Sequence, residues 1–256
     1  MTDTLIWVRS AAEQASSGKR FNDLFDGIGR IANTAFLYQL TGETRFAECA
    51  LKDMLWLAGQ STWSYNFLEM AQISYALGLG YDWLYDYMTA AQRKTICDAI
   101  YYKAIEASYN LPSDQIYWKT INNNLNSWVY GGLTIGALAI FESYPDRCAE
   151  FLSEMVTNIQ NSMSIYAPCG SYPEGPDYSV SGLSFTVYTL EACLSVLGTE
   201  FGLSKINGFR ESGEYLPAIN GYTASFNYGD GGVYIHNTAA LFWYANHFQK
   251  PELALW

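Results

Sequence analysis

Apolar residues recur at steps of three and four along most of this chain, and that periodicity limits the possible folds more than any other feature. In the stretch 145–166, one helical stripe is formed by Leu152, Met155, Val156, Ile159, Met163 and Tyr166. A half-buried strand would instead alternate with a period of two, a pattern that only residues 222–235 suggest. The sequence therefore predicts an all-α fold.

Helix boundaries can be placed from capping and punctuating residues. Thr89 and Gln92 have the spacing of a capping box, which predicts a helix that begins at about residue 90. Gly42 and Pro145 separate apolar helical runs. The predicted helices lie near residues 3–16, 27–41, 44–59, 65–86, 90–109, 125–143, 146–166, 178–198, 203–218 and 238–248.

The predicted helices are of two kinds. Segments 130–143 and 185–198 are apolar nearly all round, whereas 90–109 and 146–166 are apolar on one side. Alternation of this kind is typical of antiparallel helical hairpins arranged as a double ring. The inner helices are then covered on most sides, and the outer helices show one face to water.

Composition excludes several classes of function. The net charge is −11 and no basic stretch occurs, which argues against a nucleic-acid partner. No uninterrupted apolar run is long enough to span a bilayer, so no membrane partner is predicted. The N-terminus lacks the basic and apolar regions of an export signal, and the localisation stays open.

Cysteines and histidines give no sign of a metal or cofactor. The five cysteines have no CxxC spacing and are interpreted as reduced core thiols. His236 and His247 are the two histidines, and nothing metal-like is spaced around them, so both are interpreted as surface or helix-end residues. We predict no metal site and no cofactor.

Aromatic side chains are abundant, at 16% of the chain with 21 tyrosines and 8 tryptophans. Such rings pack protein cores, and they also stack on the apolar faces of sugars, so both roles stay open. Trp63, Trp83 and Trp128 are candidates for sugar platforms, with a core role as the alternative.

Polar side chains collect at the starts of the predicted inner helices. Asn66, Glu69 and Gln72 are spaced to share one helix face. The stretch 121–127 holds four asparagines within five residues, which is more than an N-cap needs. In a ring of helices, such ends open onto one mouth, where these polar groups would converge.

The third polar stretch is "GSYPEGPDYSVSGLSF", residues 170–185. Its simplest interpretation is a helix start, with Pro176 in the first turn and Asp177 complementing the helix dipole. The stretch also carries Tyr172, Glu174 and Tyr178, which are groups that can transfer protons or bind sugars.

Four stretches together resemble the helical domain of the heparinase II/III-like polysaccharide lyases, which include oligo-alginate lyases. The asparagine pair and the EGxxY motif, in this order and spacing, are the most specific part of the resemblance. The stretches are "NFLEMAQISYALGLGYDWLYDYMT" (66–89), "NNLNSWVYGGLTIGALAI" (123–140), "GSYPEGPDYSVSGLSFTVYTLEACLSVLGTEFGL" (170–203) and "YGDGGVYIHNTAALFWYANHFQKPELA" (228–254).

The resemblance implies an incomplete (α/α) toroid of about five helical hairpins. We expect one such domain over residues 1–256, without the family's C-terminal β-sandwich, which would be a missing partner domain. The implied partner is an acidic polysaccharide or oligosaccharide that contains uronic acid.

The resemblance also implies β-elimination and a set of site residues. Asn124 would neutralise the uronate carboxylate, and Tyr178 would act as base, acid or both. Members of the family often have His or Trp where this chain has Leu125. The expected substrate-binding residues are Asn123, Asn126, Asn66, Glu69, Tyr172, Glu174 and Trp128.

Two other functions stay open from the residues themselves. A glycoside hydrolase of the toroid type would need two carboxylic acids, which Glu174, Asp177 and Asp230 could supply. A non-catalytic carbohydrate-binding or scaffold module would need neither proton transfer nor a carboxylate pair.

Overall fold

The computed structural model describes residues 9–13, 24–63, 66–221, 224–229, 231–232 and 239–255, with the backbone alone over 24–27. Within these residues the protein is all-α, as the periodicity predicts: no strand occurs, and Asn220 and Ser225 form an isolated β-bridge. The predicted segment 3–16, much of 222–235, Asp230 and His236 lie wholly or partly outside the described residues. The α-helices are α1 (Leu24–Thr41), α2 (Thr44–Ala58), α3 (Phe67–Trp83), α4 (Ala90–Ile100), α5 (Asn124–Ala139), α6 (Pro145–Asn158), α7 (Gln160–Met163), α8 (Pro176–Leu197), α9 (Phe209–Ala218) and α10 (Ala240–His247).

Local sequence signals place several helix ends correctly. Oγ1 of Thr89 accepts the N–H of Gln92 at 3.3 Å, and Oε1 of Gln92 accepts the N–H of Thr89 at 2.9 Å, so the predicted capping box is confirmed. Gly42 follows α1 with a φ of +70°, a left-handed conformation that ends helices and suits glycine. Pro145 begins α6.

Some predicted helices are shorter or less regular than expected. The segment 90–109 is α-helical only to Ile100 and continues as a π-helix, Tyr101–Ile105. In the segment 203–218, the helix α9 begins only after Gly208, whose φ is +83°. A Cβ on Gly208 would lie 2.1 Å from the carbonyl oxygen of Tyr166. The chain therefore turns at Gly208, in close contact with the backbone at Tyr166, and the helix begins at the next residue.

The chain divides into two compact units, and each is described by itself. Unit 1 comprises Met1–Ile116 and Gly132–Leu152, and unit 2 comprises Tyr117–Gly131 and Ser153–Trp256.

Glycines bring two backbones together in unit 1. A Cβ on Gly132 of α5 would lie 2.3 Å from the carbonyl oxygen of Ala71 in α3, and one on Gly78 would lie 2.8 Å from that of Ile135. The two helices therefore touch through their main chains, which larger side chains at these positions would prevent. This close approach explains why α5 is rich in glycine although glycine weakens isolated helices.

Trp63 belongs to the core of unit 1. Its side chain is fully buried, and its indole N–H donates to the carbonyl oxygen of Leu57 at 2.9 Å. The alternative interpretation as a sugar platform is therefore wrong for Trp63. Trp83 is half-buried, and its ring packs at 6.0 Å from that of Phe36.

Aromatic rings form much of the core of unit 2. Tyr166, Tyr172, Phe209 and Tyr244 are all fully buried. The rings of Tyr166 and Tyr172 are 5.1 Å apart, and those of Phe209 and Tyr244 are 5.3 Å apart. Part of the aromatic excess is thus core packing, since each such ring removes a large apolar area from water.

All five cysteines are free thiols. Cys97, Cys148 and Cys193 are buried, as predicted, and burial raises the pKa of the Cys193 thiol from 9.0 to about 11. Cys169 is exposed, so the expectation of a core thiol is wrong there, because this residue lies in the connection that precedes the third polar stretch.

Helix α8 is long and apolar enough, by length and composition, to cross a membrane. Half of its most apolar window is buried inside the protein, as in the core helix of many folds, so this single helix is weak evidence for a membrane partner.

Candidate functional site

Glu174 joins the asparagine stretch to the EGxxY stretch in unit 2. The Asn124 N–H, at the first residue of α5, donates to Oε2 of Glu174 at 2.9 Å across a separation of 50 residues. The N–H of Leu125 donates to Oδ1 of Asn123 at 3.1 Å. Both N–H groups lack partners inside the helix, so Asn123 and Glu174 together cap α5, and the Glu174 charge complements the helix dipole.

The turn that carries Glu174 is held by Tyr228 and Gly232. Gly175 has a φ of +97°, and a Cβ there would lie 2.1 Å from the carbonyl oxygen of Tyr228. The Tyr228 hydroxyl donates to the carbonyl oxygen of Tyr172 at 2.6 Å. The N–H of Gly232 donates to Oδ2 of Asp177 at 3.2 Å. Position 175 therefore requires glycine, because its φ is positive and a Cβ would clash with the backbone at Tyr228.

Helix α8 begins as the sequence predicts. Pro176 is its first residue, and Asp177 lies in the first turn with its side chain exposed. Both features suit a helix N-terminus, where a missing N–H costs nothing and a negative charge is favoured.

Helix α8 and the start of α5 run in the same direction in unit 2. Near their starts, a Cβ on Gly182 would lie 3.5 Å from Cα and Cβ of Asn124. Further along, a Cβ on Gly131 would lie 2.8 Å from the carbonyl oxygen of Phe185. Contacts thus advance along both helices together, so their N-terminal ends, with the candidate residues, lie at the same end.

Tyr172 lies behind this end and is buried. Its side chain is 1% exposed, and its hydroxyl oxygen would lie 3.3 Å from a Cβ on Gly182. The hydroxyl makes no hydrogen bond of good geometry with the residues that the structure describes. Burial, with smaller contributions from Tyr166 and the Glu174 carboxylate, raises the pKa of Tyr172 far above its usual value, so the group stays protonated.

Tyr178 occupies a different environment. It is half-buried and lies one turn before Gly182 on the same face of α8. It therefore shares the N-terminal end of the helix pair with Asn124 and Glu174, and water can reach part of it. Asn124 is itself 3% exposed.

Asn126 has a structural role. Its amide nitrogen donates to the carbonyl oxygens of Trp118 and Lys119, at 2.9 and 3.2 Å, and its amide oxygen accepts from the Ser162 hydroxyl at 2.8 Å. The side chain is 0% exposed. The hydrogen-bonding groups of Asn126 thus hold the turn before α5, and its expected part in substrate binding stays a prediction.

Asn66 and Glu69 lie in unit 1. Oδ1 of Asn66 accepts the N–H of Glu69 at 2.9 Å, so Asn66 caps α3. Asn66, Glu69 and Gln72 are all half-buried, in agreement with the predicted shared face. Oε2 of Glu69 is buried, without a hydrogen-bond partner among the described residues.

Trp128 is half-buried, and its ring stacks on that of Phe185 at 5.0 Å with an interplanar angle of 20°.

His247 ends α10 and stacks on Trp243 at 4.1 Å, which agrees with its interpretation as a helix-end residue. Within the described part of the chain, no group of three His, Cys, Asp or Glu side chains is placed to hold a metal ion.

Gly182 and Phe185 are neighbours of the candidate site that the sequence analysis did not single out. A glycine within an apolar helix, as in "SGL", signals close approach of another backbone, and this signal was present. The place of Phe185 beside the site follows only from its contact with Trp128. The two residues are 57 positions apart in sequence, and they meet only when α5 and α8 are packed together.

No protein-family model matches this chain, and no curated protein matches it.

Proposed function

We propose that this chain is the helical domain of a polysaccharide lyase that resembles the heparinase II/III-like family. In this proposal the helices form an incomplete (α/α) toroid, and the domain acts on polysaccharide that contains uronic acid by β-elimination. The observation that carries the proposal is the hydrogen bond from the Asn124 N–H to Glu174, because it brings the two motifs of the resemblance to one place. The parallel course of α8 and the start of α5 supports it, since the inner helices of a toroid run in the same direction.

β-Elimination asks three things of a site. The charge of the uronate carboxylate must be neutralised so that the C5 proton becomes more acidic. A base must then remove the C5 proton, and an acid must protonate the leaving O4. The electrons of the C5–H bond form a double bond between C4 and C5 as the C4–O4 bond breaks. The Asn124 amide would donate hydrogen bonds to the carboxylate.

The buried and half-buried tyrosines suit different roles. With 1% exposure, Tyr172 is kept from the substrate, and the burial that raises its pKa disfavours a role as base. Tyr178 is half-buried, so water reaches part of it, and it lies in the first turn of α8. We therefore assign proton transfer to Tyr178 and a supporting position to Tyr172 and Glu174.

Product absorbance tests the proposal. Alginate and glycosaminoglycans are incubated with the protein, and the ultraviolet absorbance of unsaturated uronate is followed. The Tyr178→Phe variant should lose activity by roughly 10²- to 10⁴-fold, the usual contribution of general acid–base catalysis. Tyr102→Phe, at a position that is 60% exposed in unit 1, is the matched control and should keep full activity. Full activity in Tyr178→Phe would contradict the assignment.

A hydrolase is less well supported. The Glu174 and Asp177 carboxylates both accept backbone N–H groups, from Asn124 and Gly232, and are thus engaged in holding the fold. Hydrolysis would release reducing sugar without a new double bond, so a reducing-sugar assay beside the absorbance assay separates the two reactions.

A non-catalytic carbohydrate-binding module is the second candidate. The 3% exposure of Asn124 favours it, because a carboxylate-holding amide should be accessible to substrate. In calorimetry with alginate oligosaccharides, binding without any unsaturated product would select this function over the lyase.

A further inference from the structure

One face of α8 is half-exposed along most of the helix. Tyr178, Ser181, Phe185 and Tyr188 are half-buried, while Gly182 and its apolar neighbours between them are buried. Their spacing of three, four and three residues places all four on one helix face. A helix face in contact with water usually carries charged or polar side chains, but three of these four are aromatic.

Trp128 of α5 extends this face within unit 2. Its ring stacks on Phe185 at 5.0 Å, and Phe185 meets Tyr188 edge-on at 5.8 Å with an angle of 70°. Gly131 makes the pairing possible, since a Cβ there would lie 3.0 Å from Cβ of Phe185. We call Trp128, Phe185 and Tyr188 the aromatic strip.

The aromatic strip continues from the candidate catalytic residues. Trp128 follows Asn124 by four residues, and Phe185 follows Tyr178 by seven, so each lies on the same helix face as its predecessor. Four residues advance about 6 Å along a helix, which is comparable with the length of one sugar ring. The strip therefore begins about one sugar residue away from Asn124.

The chemistry of the strip suits a sugar ring. Aromatic faces stack on the apolar C–H faces of pyranoses, and none of the three side chains carries a charge. The Trp128 indole N–H is without a hydrogen-bond partner among the described residues, and a buried donor in that state costs about 1 to 3 kcal/mol.

We propose that the aromatic strip forms a sugar subsite for the pyranose next to the uronate that meets Asn124. The inference rests on the proposed function for its choice of ligand, a uronate oligosaccharide, and it adds a requirement for chain length. A tetrasaccharide reaches the strip, whereas a monosaccharide at Asn124 does not.

Calorimetry with alginate tetrasaccharides and with free mannuronate, on the full chain, tests the subsite. Trp128→Ala should weaken tetrasaccharide binding by about 2- to 10-fold, the loss expected for one stacked ring. The affinity of the Trp128→Ala variant for mannuronate should equal that of the wild type. Phe242→Ala, at a position that is 62% exposed in unit 2, is the matched control and should bind as the wild type does.

Folding is checked separately, because Trp128 also packs on Phe185. Trp128→Phe keeps an aromatic ring and should bind with an intermediate affinity, and Tyr188→Leu should weaken the tetrasaccharide several-fold. Thermal unfolding of each variant identifies any that does not fold. Unchanged tetrasaccharide affinity in folded Trp128→Ala, Trp128→Phe and Tyr188→Leu would overturn the inference.

The outcomes separate this inference from the proposed function. Tetrasaccharide binding that depends on Trp128, but yields no unsaturated product, supports the subsite and refutes the lyase. Cleavage by the wild type with an unchanged KM in Trp128→Ala supports the lyase and refutes the subsite. A wild-type protein that binds no uronate tetrasaccharide refutes both.

Discussion

At the scale of single residues, neighbouring asparagines of one cluster have different roles. Asn123 caps α5, the backbone N–H of Asn124 donates to Glu174, and Asn126 holds the preceding turn. Asn122 is exposed at the edge of the same cluster. The composition of the cluster is therefore a poor guide to function, because burial and partners differ from one asparagine to the next.

Asn126→Ala should destabilise the protein by about 3 kcal/mol, because it removes the hydrogen bonds to the carbonyl oxygens of Trp118 and Lys119 and the one from the Ser162 hydroxyl. Urea unfolding followed by tryptophan fluorescence measures the change. Asn122→Ala is the control from the same cluster and should change the free energy of unfolding by less than about 0.5 kcal/mol. Equal effects of the two substitutions would contradict the structural role of Asn126.

At the scale of elements, glycines decide how closely helices pack. Gly132 and Gly78 let α5 and α3 touch through their backbones in unit 1, and Gly182 brings α8 against Asn124 in unit 2. Gly29 of α1, by contrast, is exposed, and no atom of the described residues lies within 4 Å of the position of a Cβ. The same residue type is thus required in one helix and dispensable in another.

Gly132→Ala and Gly29→Ala should act in opposite directions. A Cβ on Gly132 would lie 2.3 Å from a backbone oxygen, so Gly132→Ala forces the helices apart and should destabilise the protein by about 1 to 3 kcal/mol. Gly29→Ala should stabilise it by up to about 1 kcal/mol, the difference in helix propensity. Thermal unfolding of both variants checks this, and a gain in stability for Gly132→Ala would contradict the close packing.

At the scale of the whole molecule, the charge bears on the proposed substrate. A net charge of −11 repels a polyanion at long range, so an acidic polysaccharide must be bound by local hydrogen bonds and stacking against that repulsion. In the proposed function, the aromatic strip and the Asn124 amide would supply contacts of this uncharged kind.

Salt should therefore help the protein to act on a uronate polymer. Going from about 10 to about 150 mM NaCl shortens the Debye length from about 30 to about 8 Å, which screens the repulsion. We expect KM for alginate to fall by a factor of about 2 to 10 over this range. Binding of a neutral oligosaccharide such as cellotetraose is the control and should not respond. A KM that rises steadily with salt would point to a basic binding surface instead.

The sequence by itself determined the all-α class, most helix positions and several helix ends, because these depend on neighbours a few residues away. The period of the apolar residues, the Thr89–Gln92 capping box and the glycine after α1 are such local signals. The same locality explains why the π-helix after Ile100 was missed, since the register shift leaves no mark in the apolar pattern.

Only the tertiary structure decided which candidates belong together and which face water. The bond from Asn124 to Glu174 spans 50 residues, and the burial of Tyr172 beside the half-exposed Tyr178 depends on helices packed from distant parts of the chain. Two tyrosines in one polar stretch look alike in sequence, and their exposure and hydrogen-bonding roles diverge once long-range packing removes one of them from water.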